Sequence, residues 1–136
     1  MKKATFPAEI LQLKALMEWI HECLKDVRIE SSILGRIELA SEEAFVNIIH
    51  HSYRGKEGKV DVTIRLFGDG IEIAFQDKGP PFDPLAHLPT FDPLAALDDR
   101  KIGGLGLLFM HQYMDSIHYH HDGTYNCLVL TKKFRC

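Results

Sequence analysis

Glu43 and Asn47 lie four residues apart in the stretch S-E-E-A-F-V-N-I-I-H-H-S-Y-R-G, residues 41–55. On a helix this spacing puts both side chains on one face, about one turn from each other. A carboxylate and a carboxamide so placed suit a site in which the first positions or deprotonates a nucleophile and the second offers a neutral oxygen to Mg²⁺. An ordinary solvated helix edge produces the same pair without chemistry. Its meaning therefore depends on what the rest of the chain brings to it.

The helix that carries the pair is drawn by Leu34, Ile37, Ala40, Ala44 and Ile48, an apolar stripe with Glu43 and Asn47 at its edge. It is expected to start after the Ser31-Ser32 pair, either hydroxyl of which can accept a hydrogen bond from a free first-turn N–H, although Gly35 weakens that turn. An earlier amphipathic helix, with Ile10, Leu13, Met17, Ile20 and Leu24 at helical spacing, is expected to run about five turns to Asp26. Ahead of it, residues 4–6 suit a short edge strand before Pro7, which suits a first helical turn because it has no N–H to lose there. Trp19 fits the edge of the core, with a partner-facing anchor as the other reading.

Two strands follow. Val60, Val62, Ile64 and Leu66 alternate with polar residues, Gly68-Asp69-Gly70 closes a hairpin, and Ile71, Ile73 and Phe75 continue the apolar parity onto Asp77. A carboxylate at the core side of a strand end is costly unless something pairs with it. Asp77 is therefore either a ligand acceptor or the cap of the turn behind it. That turn, D-K-G-P-P-F-D, is permissive at Gly79 and rigid at Pro80 and Pro81.

Residues 84–102 carry prolines and scattered aliphatics, and a loop of this length in a compact domain is more often functional than idle. Gly103, Gly104, Leu105 and Gly106 then stand where a loop enters a helix. Backbone N–H groups there can meet phosphate at the positive helix end. Arg100 and Lys101 just upstream suit phosphate contact or a solvated basic pair. Neither a strand before these glycines nor a G-K-[ST] sequence is present, which argues against a dinucleotide fingerprint and a P-loop.

Taken together, E-A-F-V-N at 43–47, D-K-G-P-P-F-D at 77–83 and G-G-L-G at 103–106 resemble the N box and the two glycine boxes of the ATP-binding fold shared by gyrase, Hsp90, histidine kinases and MutL. The H-S-Y-R-G, P-P-F-D-P-L and R-K-I-G-G-L-G segments and a terminal D-G-x-x-N-x-L resemble the anti-sigma-factor serine kinases. The resemblance implies ATP with Mg²⁺ on Asn47, adenine held by Asp77 and Gly79, and Glu43 as the catalytic carboxylate. It also implies phosphates contacted by Arg100, Lys101, Gly103, Gly104, Leu105 and Gly106, with residues 78–102 as a lid. The implied partners are a STAS-domain antagonist protein, possible sigma factor binding and a second copy of the chain. Pro81 departs from the commoner D-x-G-x-G box, removing one flexible point and one N–H.

Composition fits one domain over residues 1–136. With 46% apolar types and a formal charge of −3, the chain can bury a sizeable core and has no bias toward nucleic acid. Nothing approaches the roughly 20 apolar residues of a membrane span. Cys23, Cys127 and Cys136 lack a C-x-x-C spacing and suit reduced thiols in a cytoplasmic protein. His111, His118, His120 and His121 lack the convergent third and fourth ligands of a zinc site.

The expected architecture is α+β, a two-layer α/β sandwich in which a mixed, mostly antiparallel sheet of four or five strands is covered by three helices on one face. Its assignment to the gyrase-like ATP-binding fold comes from the resemblance. The leading reading is an ATP-dependent serine/threonine protein kinase. The rival is a nonenzymatic, nucleotide-dependent binding module, which Pro81 favours. A histidine kinase fragment fits less well, since no phosphoacceptor hairpin precedes the domain.

Overall fold

The computed structural model describes residues 1–54, 56–84, 110 and 112–134. In chain order these form β1 (Lys2–Pro7), a 3-10 turn (Ile10–Gln12), α1 (Leu13–Leu24), α2 (Ser31–Asn47) and a π-helical turn (Ile48–Ser52). Then come β2 (Lys59–Phe67), β3 (Gly70–Asp77), β4 (Ser116–His121) and β5 (Asn126–Lys133). The strands make one sheet in the order β1-β2-β3-β5-β4. Each described ladder is antiparallel, so the mixed sheet expected from sequence is antiparallel throughout these residues.

Register follows the alternation. Val62 pairs with Phe75 and Phe75 with Leu128, while Ile64 pairs with Ile73 and Ile73 with Leu130, so one sheet face is a continuous apolar surface. Leu16 and Ile20 of α1 and Ile37, Ala40, Ala44 and Phe45 of α2 are fully buried in the same core. Each fully buried Ile, Leu or Phe contributes about 1.5–3 kcal/mol, which makes this layer contact the main support of the fold. The opposite face carries Lys3, Arg65 and His118 to solvent, with Thr63, Ala74 and Val129 half-buried between them. This is the one-sided burial usual for antiparallel sheets. The two-residue turn at Gly68-Asp69 places Gly68 at φ +45°, where a side chain would be strained.

Both helix starts differ from the sequence expectation. The first helix opens as the 3-10 turn, with Ile10 and Leu11 exposed, and ends at Leu24 rather than Asp26. At α2 the N-cap is Glu30, which makes no side-chain cap; Ser31 and Ser32 are already helical and exposed. The extended backbone of Glu30 simply turns into the helix, with Leu34 N bonded to Glu30 O at 2.9 Å. Trp19 is half-buried at the core edge, its ring edge-on to Phe6 at 5.8 Å. Ser41, in the middle of α2, is fully buried and its hydroxyl has no hydrogen-bond partner among the described residues.

The third helix predicted after Gly106 is described only at its end. Residues 110, 112 and 113 are helical, and Met110 and Met114 are buried in the core. Arg100, Lys101, Gly103, Gly104, Leu105 and Gly106, with all of the expected lid beyond Pro84, lie outside the described residues.

Candidate functional site

The site is assembled where α2 ends beside the ends of β3 and β5. After Asn47 the helix widens by one residue: Tyr53 N bonds to Ile48 O at 3.0 Å, an i to i+5 bond, and Arg54 ends the turn at φ +53°. Such π turns are commonly found at functional sites. This one carries Ser52 inward, only 4% exposed, where its hydroxyl donates to Oδ1 of Asp77.

Asp77 is 3% exposed, on the core parity that the alternation of β3 requires. Its Oδ1 also accepts from Gly79 N at 2.9 Å and from Asn126 Nδ2 at 3.0 Å. Oδ2 accepts from no described residue, and Oδ1 caps the turn behind the strand. Gly79 must be a glycine for a packing reason: a Cβ there would lie 2.3 Å from Ser52 Oγ and 2.8 Å from Ser52 O.

Asn126 occupies the register position opposite Asp77, and is 4% exposed. Its Nδ2 reaches Asp77 Oδ1, Ser52 Oγ at 3.2 Å, Gly79 O at 3.1 Å and Pro80 O at 2.9 Å. On its other side Oδ1 accepts from Phe82 N at 3.1 Å and from the Tyr119 hydroxyl. That hydroxyl in turn accepts from Phe82 N at 3.1 Å. Burial pushes the Tyr119 hydroxyl above its ordinary pKa, which keeps its proton available to Asn126.

The rim is aromatic. Tyr53 donates to Lys59 O at 2.6 Å and accepts from Lys78 N at 3.0 Å, bracing the residue that follows Asp77. The Lys78 ammonium lies 5.5 Å from the centroid of the Tyr125 ring, and His51 stacks on Phe82 at 5.1 Å.

Glu43 and Asn47 differ in setting although they share a helix face. Asn47 is 7% exposed and its carboxamide makes no hydrogen bond among the described residues. A nearly buried carboxamide that bonds to no described residue fits a metal ligand, and an Asp77 Oδ2 that accepts from no described residue fits an adenine amino group; both observations suit Mg²⁺ and ATP. Glu43 is half-buried, and desolvation, then the charge of Glu42, raises its carboxyl pKa.

Ser52, Tyr119 and Asn126 were not singled out from sequence as site residues. Ser52 depends on the π turn, for which the sequence offered no signal. Asn126 had one, because it lies on the same parity as Leu128 and Leu130 of β5. His118 and His120 are exposed on the outer sheet face, and no cluster of three metal-ligating side chains occurs among the described residues. Cys23 and Cys127 are buried free thiols. An open cavity of about 710 Å³ lies away from this site, between α1 and the segment leading into α2, and is lined by Met17, His21, Leu24 and Val27 among others.

Comparison with known proteins agrees with this geometry. The chain is 29% identical over 100 residues to the serine-protein kinase RsbW of Listeria innocua, covering 71% of this chain and 63% of that one. It is 33% identical over 91 residues to RsbW of Bacillus licheniformis, covering 63% and 56% respectively. The match to these curated relatives thus spans roughly 56–63% of their length. Among solved structures, the RsbU and RsbW domains of a Mycobacterium tuberculosis protein superpose with TM-score 0.65 at 16% identity, over 98% of this chain and 32% of that one. The catalytic domain of the histidine kinase ThkA superposes with TM-score 0.60 at 16% identity, over 98% and 97%. The sequence pattern of the histidine kinase-like ATPase domain matches residues 6–132, and the chain belongs to that family.

Proposed function

We propose that this protein is an ATP-dependent serine/threonine protein kinase that phosphorylates a STAS-domain antagonist of an anti-sigma factor and itself has anti-sigma-factor activity. The observation that carries this reading is Asp77: a buried carboxylate whose Oδ1 is saturated by three donors and whose Oδ2 accepts from no described residue. An adenine amino group completes it. The similarity to RsbW proteins, named as serine-protein kinases, supports the choice of a protein hydroxyl as acceptor.

In this reading Asn47 holds Mg²⁺, which supplies charge neutralisation at the phosphates. Glu43 orients the incoming hydroxyl and takes its proton as the new O–P bond forms and the bond to the ADP leaving group breaks. Desolvation, then the charge of Glu42, raises its pKa and so makes it the stronger base. Gly79 contributes to the adenine pocket. Arg100, Lys101 and the residues Gly103, Gly104, Leu105 and Gly106 contact the phosphates. The protein acts as a homodimer in the cytoplasm. No described helix is long and apolar enough to cross a membrane.

The test is incubation with γ-labelled ATP, Mg²⁺ and candidate STAS-domain proteins. Label transferred to a serine or threonine of one of them is the expected result. Partner binding that depends on nucleotide but transfers no label identifies a nonenzymatic module instead.

A further inference from the structure

We propose that Asn126 is the positioning residue that makes Asp77 selective for adenine, by fixing the plane in which its carboxylate meets the base and by bracing the diproline turn. The inference rests on the nucleotide-binding reading above and deepens it. A carboxylate has two equivalent oxygens and turns readily about its last torsion. If it turned here, the acceptor offered to a base would move. Asn126 opposes this from across the sheet: the two N–H bonds of its Nδ2 are shared among Asp77 Oδ1, Ser52 Oγ and the carbonyls of Gly79 and Pro80, and Ser52 itself donates to the same carboxylate oxygen.

The same carboxamide serves the turn after Asp77. Pro80 and Pro81 have no N–H and cannot tie the turn to the sheet through their own amides. Asn126 takes that part from outside, donating to the carbonyls of Gly79 and Pro80 and accepting from Phe82 N. The orientation of the carboxamide is dictated by this surrounding: turned over, its oxygen would face a carboxylate and two carbonyls, and its NH₂ would face the Phe82 N–H. A single side chain thus locks both the adenine acceptor and the segment that follows it.

The proposal separates from a merely structural role through base discrimination. If Asn126 only held the fold together, its loss would weaken all nucleotides alike. As a positioning residue its replacement by Ala leaves Oδ1 of Asp77 with only Ser52 and Gly79 N as donors and loosens the carboxylate plane, so the ratio of ATP to GTP affinity falls at least about fivefold while thermal unfolding remains cooperative. Asn126→Asp provides an independent readout. It keeps the acceptor for Phe82 N and Tyr119 but puts a second carboxyl against Asp77 and the two carbonyls, where it fits only while protonated. The other titratable groups at this pair are Tyr119 from β4, which donates to Asn126, and Asp83 beyond the turn, whose charge reaches Tyr119. Relative to the parent, N126D affinity for ATP should fall at least about tenfold between pH 6 and 8.

Calorimetry with ATP and GTP on the full chain decides. An unchanged ATP to GTP ratio in N126A, or an N126D to parent affinity ratio that does not vary with pH, overturns the proposal. Should N126A fail to fold, Asn126→Ser, which retains one donor, takes its place with the same ratio as readout. A parent protein that binds no ATP, or a D77N protein that binds it normally, instead overturns the nucleotide reading itself.

Discussion

Ser52 donates its hydroxyl hydrogen to Oδ1 of Asp77, tying the π turn that ends α2 to the last residue of β3. This contact brings the helix of Glu43 and Asn47 and the strand of Asp77 into one site. It also explains why Gly79 approaches the backbone of Ser52 too closely for any side chain.

Asp77→Asn tests which oxygen faces the ligand. Because Ser52, Gly79 N and Asn126 all donate to Oδ1, the introduced carboxamide must put its oxygen there and its NH₂ where Oδ2 was. An adenine amino group then meets a donor, and ATP affinity should drop by about 1–3 kcal/mol. Guanine offers an acceptor at the corresponding edge and should lose less. Titrations showing equal losses for ATP and GTP, or none for ATP, would place the base elsewhere.

Ser41→Ala should stabilise the protein. The Ser41 hydroxyl is fully buried in the middle of α2 and has no partner among the described residues, so it carries a desolvation cost with no described bond in return. Alanine removes that cost and is the better helix former, for a gain of about 0.5–2 kcal/mol in denaturant unfolding. A loss of stability in S41A would mean that the hydroxyl is satisfied in solution.

The strands could be read from sequence because one rule governs them. Alternation from Val60 to Phe75 fixed the core face, and continuing it to Asp77 placed a carboxylate in the interior, where it is found. The same rule applied to β5, from Leu130 back through Leu128, reaches Asn126, whose register partner is Asp77. What could not be read is the π turn. Widening a helix by one residue leaves no mark on 3.6-residue periodicity, so nothing in the sequence marks Ser52 as turned inward. The α2 start was misplaced for a related reason: Ser31 and Ser32 have the right chemistry for a cap, but the extended backbone of Glu30 sets the boundary.

Glu43 gives a pH signature with a definite sign. Desolvation, then Glu42, raises its pKa in the folded state, so the folded protein binds more protons than the unfolded chain between the ordinary glutamate value of about 4.3 and the raised one. Stability contributed at this position therefore declines as pH rises through that window. Glu43→Gln removes the effect, so E43Q should be more stable than the parent at neutral pH. The advantage should shrink as pH falls through the raised pKa and vanish below the ordinary one. Denaturant unfolding of both proteins across this range gives the comparison, and a gain independent of pH would assign it to packing.

Catalysis and nucleotide binding separate at Glu43 and Asn47. The Asn47 carboxamide is nearly buried and bonds to no described residue, which suits a ligand of Mg²⁺. Asn47→Ala should therefore lower affinity for Mg²⁺-ATP and phosphotransfer together. Glu43 is one turn earlier, half-buried, and assigned to a hydroxyl that arrives only with the protein substrate. For Glu43→Gln the expected result is nearly parental ATP affinity and partner binding, with phosphotransfer reduced about 10²-fold or more if the carboxylate supplies general-base catalysis. Were both residues an ordinary helix edge, each substitution would change stability by less than about 0.5 kcal/mol and leave phosphotransfer intact. ATP titrations paired with single-turnover transfer assays distinguish these outcomes. Parental transfer by E43Q would remove Glu43 from the chemistry even if Asn47 proved essential for Mg²⁺-ATP.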